Sequence, residues 1–378
     1  MSWKLSTQQD VSYEVIIDTE LFDDHNCQLS DVLGNRVLVF IDDTVSDLYF
    51  GRIISYFDAR KIDAKYVTVK GDESEKNLEA LLLILREIEN FGVDRRNEPV
   101  LAIGGGVVCD VVGLAAALYR RGIPYVRIPT TLLGMVDVSV AAKVAINWED
   151  RRNRLGAYYP PDYTFIDTNF LPTVDPTDIS SGMGEIFKIA LIKDKELFHI
   201  LEGEGRRLLH NKFGDEVGKE VIGKACEDML EELEPNLWEK NLKRCVDFGH
   251  SFSPIIEMRS LTNPNVDTLT HGQAVTLDCI FSSVLAMRRG LFYEINLERV
   301  IRTAHIMDLP VRHPSFFDSL LLYESLQDTT KHRNGNQNLP VPVGIGEYTF
   351  LNDVTYNEIV ETIEEYRRQT SWVHQGLL

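Results

Sequence analysis

The chain is 378 residues long, 44% hydrophobic and 26% charged, a mix with enough apolar material for two packed domains. Lys and Arg number 39 against 58 Asp and Glu, and the resulting formal charge of −19 repels phosphate backbones and excludes a nucleic-acid partner. An anionic small substrate would need a local basic cluster to hold it against that field. The five cysteines, Cys27, Cys109, Cys226, Cys245 and Cys279, are widely and irregularly spaced, which excludes a C-x-x-C zinc ribbon and a disulfide framework. No apolar run near the N-terminus fits a signal peptide, and the longest apolar stretch, residues 101–119, is interrupted by glycines and by Asp110. A cytoplasmic protein without a membrane span is therefore expected.

In chain order, residues 37–41 form a continuous apolar run that predicts a buried parallel strand ending at Asp42-Asp43, and residues 66–69 predict a second. Leu78, Leu81, Leu82, Leu85 and Ile88 recur at helical spacing and predict a helix over 75–91 closed by Gly92. Residues 99–103 predict a third strand that runs straight into Gly104-Gly105-Gly106, followed by a buried helix over 107–119 and a fourth strand over 125–128. Strand, glycine turn, helix and strand make a βαβ unit, so residues 1–175 are expected to form a doubly wound, Rossmann-like parallel α/β domain. Past Pro172, Asp175 and Pro176 helical periodicity dominates, over 185–192, 217–233, 276–288, 297–306 and 356–368. Residues 176–378 are expected to form a mainly α-helical domain, with a ligand site between the two.

Three residue sets can carry chemistry. Gly104, Gly105 and Gly106, with Asp110 behind them, follow a strand end, where glycines let backbone N–H groups approach a pyrophosphate; a tight turn needing small residues explains them equally well. Asp42, at an earlier strand end, is placed to accept a ribose hydroxyl or is an ordinary loop acid. Glu185, His250 and His271 supply one carboxylate and two imidazoles, a catalytic zinc or cobalt set, although their spacing alone does not assign it. Lys188 shares a helix face with Glu185. The third set is basic: Arg120-Arg121, Lys143, Arg151-Arg152-Asn153-Arg154 and Lys331-His332-Arg333 suit a phosphate monoester, or are solvated surface charges.

Taken together these blocks are no longer independent. Ile128-Pro-Thr-Thr-Leu-Leu-Gly-Met-Val-Asp137, Lys143-Val-Ala-Ile-Asn147, Arg152-Asn-Arg-Leu-Gly-Ala-Tyr-Tyr-Pro160, Gly104-Gly-Gly-Val-Val-Cys-Asp110, Gly184-Glu-Ile-Phe-Lys188, Asp247-Phe-Gly-His250 and His271-Gly-Gln-Ala-Val resemble the dehydroquinate synthase superfamily of sugar phosphate cyclases. The matches cover nearly the whole chain, from about residue 37 to 346. The resemblance implies metal ligands at Glu185, His250 and His271, and NAD contacts at Asp42, Glu73, Lys76, Gly104, Gly105, Gly106, Asp110, Thr130 and Thr131. It implies catalytic roles for Lys143, Lys188, Asp137 and Asp247. Substrate contacts are implied at Arg121, Arg152, Asn153, Lys331 and His332, with Arg121 reaching in from the mate of a homodimer.

The departures are informative. Dehydroquinate synthases carry a second histidine where this chain has Pro254, and the lysine and arginine that grip their substrate carboxylate align with Met229 and Lys243, Arg244 being adjacent. Beside Asp247 and Met229 a substrate carboxylate is expected to meet a like charge and no paired cation. The His-x-x-x-Pro form resembles the sedoheptulose 7-phosphate cyclases, and Asp247, with His332 and Leu233, resembles the 2-epi-5-epi-valiolone branch more than the desmethyl-4-deoxygadusol or 2-epi-valiolone branches. The implied reaction is a lyase-type cyclisation: transient oxidation by NAD, phosphate elimination, reduction and aldol closure, the phosphate's own oxygens replacing the missing histidine as base. Natural product biosynthesis is the implied setting. A non-catalytic NAD- and metal-binding relative, or a polyol dehydrogenase of similar architecture, is the rival reading.

Overall fold

The computed structural model describes residues 1–7, 10–149 and 151–371, so residues 372–378 of the expected second domain lie outside the described part. The chain divides into two units, Met1–Pro129 with Ala142–Asp167, and Thr130–Ala141 with Thr168–Leu378. Residues 130–141 and 168–175, expected in the first domain, thus group with the second.

The first unit contains β1 (Glu14–Ile17), α1 (Gln28–Leu33), β2 (Arg36–Asp42), α2 (Asp43–Ala59), β3 (Asp63–Val69), α3 (Leu78–Phe91), β4 (Val100–Gly104), α4 (Gly106–Leu118), β5 (Tyr125–Pro129), β6 (Lys143–Trp148), β7 (Arg151–Tyr158) and β8 (Tyr163–Ile166). Six strands form one sheet in the order β1-β8-β5-β4-β2-β3, and every pairing is parallel. The central strands β2, β4 and β5 are buried almost throughout, which is why they read as unbroken apolar runs. β2 crosses over to β3 and β4 crosses over to β5, so the chain leaves two adjacent strands in opposite directions. That is the switch point at which open α/β sheets take ligands, and Asp42 and Gly104 end the two strands. Asp42 ends β2 and also starts α2: its Oδ1 accepts the Val45 amide at 3.2 Å. α2 has no counterpart among the expected helices, though an acid directly after an apolar run is a helix-start signal. β6 and β7 form a separate antiparallel hairpin.

The second unit contains α5 (Pro176–Ile192), α6 (Lys195–His210), α7 (Glu216–Leu233), α8 (Ser253–Thr262), α9 (His271–Arg288), α10 (Glu294–Ile306), α11 (Ser319–His332), the antiparallel pair β9 (Leu339–Gly344) and β10 (Glu347–Leu351), and α12 (Tyr356–Gln369). α5 is buried from Ile179 to Ile192 and α9 from Gly272 to Ala286 but for Gln273, their charged members Glu185, Lys188 and Asp278 included. Both begin earlier than periodicity suggests. Asp175 accepts the Thr177 amide at 2.8 Å and Pro176 fills the first turn of α5, while Gln273 Oε1 accepts the Thr270 amide at 3.0 Å at the start of α9. Among the described residues no helix is long and apolar enough to cross a membrane. All five cysteines are free thiols.

α5 and α9 meet backbone to backbone. A Cβ on Gly184 would lie 2.1 Å from the Gly272 carbonyl oxygen, and one on Gly272 would lie 1.8 Å from that of Ser181. Gly184→Ala therefore has to push the helices apart, and we expect a loss of about 1–3 kcal/mol in urea unfolding. Wild-type stability in that variant would mean that the contact does not constrain the helices.

Candidate functional site

In the second unit Glu185 and Lys188 stand one turn apart on buried α5, and Lys188 Nζ meets Glu185 Oε2 at 2.5 Å. Glu185 Oε1 is buried without a hydrogen-bond donor in ordinary geometry, while His271 Nε2 lies 3.2 Å and His250 Nε2 3.6 Å from it. One ligand atom from each of Glu185, His250 and His271 falls within 4.8 Å of the others. Each imidazole has an acceptor at its far nitrogen: Glu257 Oε2 lies 3.0 Å from His271 Nδ1, and the Phe248 carbonyl 3.2 Å from His250 Nδ1. Donation from both Nδ1 atoms leaves both Nε2 lone pairs aimed at Glu185, the tautomer a metal requires.

The electrostatics agree. Burial works against the charged form of Lys188, but Glu185 and Asp137 outweigh it and raise its pKa. Burial also opposes ionisation of Glu185, yet Lys188 and the two histidines hold it well below the usual carboxylate range. Burial pushes His250 down to about 4. His271 is raised to about 10 because Glu257 and Glu185 outweigh its burial. His271 thus holds a proton where a cation would replace it: with both imidazoles neutral, Glu185, Glu257 and Asp137 against Lys188 leave a formal deficit of two positive charges, which one divalent cation would fill. The residues present fit such an ion.

Three further features hold this geometry. His250 follows Gly249, whose φ of +76° is left-handed and where a Cβ would meet Cys279 Sγ at 2.8 Å. The next three amides, of Ser251, Phe252 and Ser253, all donate to Asp278 Oδ2, at 2.9, 2.6 and 3.0 Å. Asp137 lies in a π-turn, Gly134–Val138, that packs on α5. Glu257 and Asp278 were missed by sequence reasoning. Asp278 carried a signal, as an acid inside an otherwise apolar helical stretch.

Asp247 corrects one expectation. It is flanked by cations: Arg244 grips its two oxygens, with Nε 3.3 Å from Oδ2, and Arg333 Nη2 lies 3.6 Å from Oδ2. Lys331 and His332 are exposed on the last turn of α11, His332 being 3.4 Å from Asp328. The buried cation of that segment is Arg333, only 6% exposed.

In the first unit Gly105 and Gly106 open α4 directly after β4. Lys76 is buried, meeting Asp110 Oδ2 at 2.5 Å and donating to Asn153 Oδ1 at 2.6 Å. Glu73 Oε1 accepts from Asn147 Nδ2 and from Arg152 Nε, each at 2.9 Å. Residues from the expected cofactor and phosphate sets, Glu73, Lys76, Asp110, Arg152 and Asn153, thereby form one network, with Asn147 an added member. Asp42 spends Oδ1 on the α2 cap, and burial raises its pKa. Arg121 and Lys143 are exposed, Arg121 in a turn at φ +64°. Thr130 is buried and Thr131 Oγ1 accepts the Gly134 amide at 3.1 Å, both in the second unit.

Family models for the N-terminal and C-terminal domains of 3-dehydroquinate synthase match residues 66–181 and 182–332. A 2-epi-5-epi-valiolone synthase of Streptomyces albus is 45% identical over 371 residues, covering 94% of this chain and 88% of its own. A demethyl-4-deoxygadusol synthase of Trichormus variabilis is 33% identical, covering 97% of this chain and 90% of its own, so the valiolone branch is the nearer of these two. The structure of 2-epi-5-epi-valiolone synthase from Streptomyces hygroscopicus subsp. jinggangensis 5008, solved with NAD+ and Zn2+ bound, matches with a TM-score of 0.92 at 44% identity, covering 97% of this chain and 100% of that one.

If Glu257 fixes the His271 tautomer, Glu257→Gln weakens zinc binding roughly 10–100-fold in chelator competition while the fold persists. An unchanged zinc affinity would remove Glu257 from the site.

Proposed function

The chain belongs to the 3-dehydroquinate synthase family, and from that premise we infer that it is a sugar phosphate cyclase converting sedoheptulose 7-phosphate to 2-epi-5-epi-valiolone with release of phosphate. The observation that carries this reading is the Glu185–His250–His271 cluster with Lys188 beside it, complete where a non-catalytic relative would have lost a member, combined with Pro254 one turn beyond His250. A proline there can neither accept a proton nor hold a ligand, which removes the base that dehydroquinate synthases place at that position.

NAD+ and a divalent cation, zinc or cobalt, supply a reversible hydride transfer and a Lewis acid, so the reaction begins and ends at one oxidation level. Glu185 Oε1 and the two Nε2 atoms hold the cation. Lys188 and Asp137 position the substrate hydroxyl and relay its proton, and the Glu185 contact keeps Lys188 charged in a dry setting. Arg152, Asn153 and Arg121 take the phosphate, Arg121 from the mate of a homodimer as the family resemblance implies. With no histidine at 254, the C6 proton passes to an oxygen of the departing phosphate as the C7–O bond breaks, a lyase step. Lys143 serves the later ring closure. Lys331 and His332 contact the sugar, and Asp247 faces its hydroxymethyl end. Asp42, Glu73, Lys76, Gly104–Gly106, Asp110, Thr130 and Thr131 form the cofactor contacts. A cytoplasmic enzyme acting on small molecules, with neither nucleic acid nor membrane as partner, fits the charge and composition.

The test is incubation with sedoheptulose 7-phosphate, NAD+ and zinc, with phosphate measured and the cyclitol identified by NMR. Equimolar phosphate and 2-epi-5-epi-valiolone without net NADH is the expected result. Steady NADH formation from simple polyols would make the chain a dehydrogenase. Lys188→Met should lower turnover by roughly 10²–10⁴-fold with NAD+ affinity nearly intact, because only the proton-handling step is touched. An equal loss of cofactor affinity would reassign Lys188 to cofactor binding.

A further inference from the structure

Asp247 sits in a clamp built from two separate stretches of chain. Arg244 lies three residues before it and forks onto both its oxygens. Arg333 arrives from the end of α11, and its position does not depend on Asp247: Nη1 donates to Ser251 Oγ at 3.1 Å, to the Gln337 carbonyl at 2.8 Å and to the Asn338 carbonyl at 3.3 Å. Arg244 is held from its other side by Glu239. The two guanidiniums thus face one planar carboxylate between them, the arrangement in which arginines bind a carboxylic acid ligand. The clamp abuts the metal-ligand turn, since the His250 amide donates to the Asp247 carbonyl at 3.0 Å and Ser251 follows His250.

Removing Asp247 takes away the one carboxylate that the two guanidiniums share, and a protein interior favours filling such a place with another anion. We propose that Arg244 and Arg333 form a carboxylate site that the chain fills permanently with its own Asp247, and that this resident carboxylate is what turns away a sugar phosphate bearing a C1 acid. The acid would have to displace Asp247, which cannot leave, whereas a neutral hydroxymethyl group needs no countercharge. Arg333 is in this scheme a positioning residue acting through Asp247, and no sequence pattern distinguished it from its exposed neighbours Lys331 and His332.

The proposal rests on the reading of the chain as a sedoheptulose 7-phosphate cyclase, and the experiment separates the two. Isothermal titration of the NAD- and zinc-loaded protein compares sedoheptulose 7-phosphate, a heptulosonate 7-phosphate and the matching C1 amide. Wild type is expected to bind the first and the neutral amide, but not the acid measurably. Asp247→Ala is expected to gain about tenfold or more in affinity for the acid and nothing for the amide, because the gain is one of charge rather than of space. Adding Arg333→Met to Asp247→Ala should abolish that gain. No gain in a folded, zinc-binding Asp247→Ala, an equal gain for the amide, or a gain that survives Arg333→Met would each overturn the proposal. If Asp247→Ala does not fold, Asp247→Ser provides the second route: it too removes the resident carboxylate, and a several-fold gain for the acid over the amide is expected. A lack of gain there would count equally against the proposal. Wild-type turnover of the heptulosonate in preference to sedoheptulose 7-phosphate would overturn the functional reading instead.

Discussion

The first turn of α9 lies so close to α5 that neither Gly184 nor Gly272 has room for a methyl group. Two of the three members of the candidate metal cluster, Glu185 and His271, depend on that approach. Glu185 follows one of these glycines and His271 precedes the other, so the contact sets the separation of a carboxylate and an imidazole with almost no side-chain freedom left to adjust it. Ser181 Oγ accepts the Gly272 amide at 3.2 Å, satisfying one of the α9 donors that the helix itself cannot use. Close packing of two backbones is rigid in a way that packing of long side chains is not, and a ligand set needs that rigidity.

Rigidity of position would be of little use if the charges did not balance. Glu185 and Lys188 are both nearly inaccessible, and a buried ion pair of this kind is costly to desolvate and repays that cost only with further partners. Here the partners are asymmetric: one oxygen of Glu185 is committed to Lys188, the other faces two imidazole nitrogens. Lys188 therefore stays charged by holding one oxygen of Glu185, leaving the other for the proposed cation. Glu257 extends the same logic one shell outward through His271. Asp278 does it with backbone, gathering three consecutive amides so that the turn behind His250 cannot drift.

Much of this was legible in the sequence, for identifiable reasons. The buried strands β2, β4 and β5 read as apolar runs because both their faces are covered, and Glu185, Lys188, His250 and His271 stand in blocks whose residue types suit metal chemistry. What periodicity could not reach were features set by one polar contact. The true start of α9 depends on the capping box at Thr270 and Gln273, and that of α5 on Asp175 and Pro176, which read as a domain boundary. Glu257 and Arg333 escaped for a different reason. Each is one charged residue among many on an amphipathic segment, and only tertiary structure shows that it points inward. The expectation of a bare acid at Asp247 failed likewise, because Arg333 lies 86 positions away in sequence.

The same design recurs at three further cations of this strongly acidic chain. Arg152 rests on Glu73, Lys76 on Asp110 and Asn153, Arg244 on Glu239 and Asp247. In a chain of formal charge −19, a cation without a designated partner would be captured by whichever of the 58 acids could reach it. Resident carboxylates prevent this by fixing each cation in one place. They also set a threshold for binding: on the proposed reading a phosphate dianion, with more charge and more acceptor oxygens than one glutamate, can compete with Glu73 for Arg152, whereas a single substrate carboxylate offers the Asp247 clamp nothing that Asp247 does not already supply. Selectivity for a phosphorylated but otherwise neutral sugar then follows from the strength of the anions already in place, without any cation having to distinguish one ligand from another.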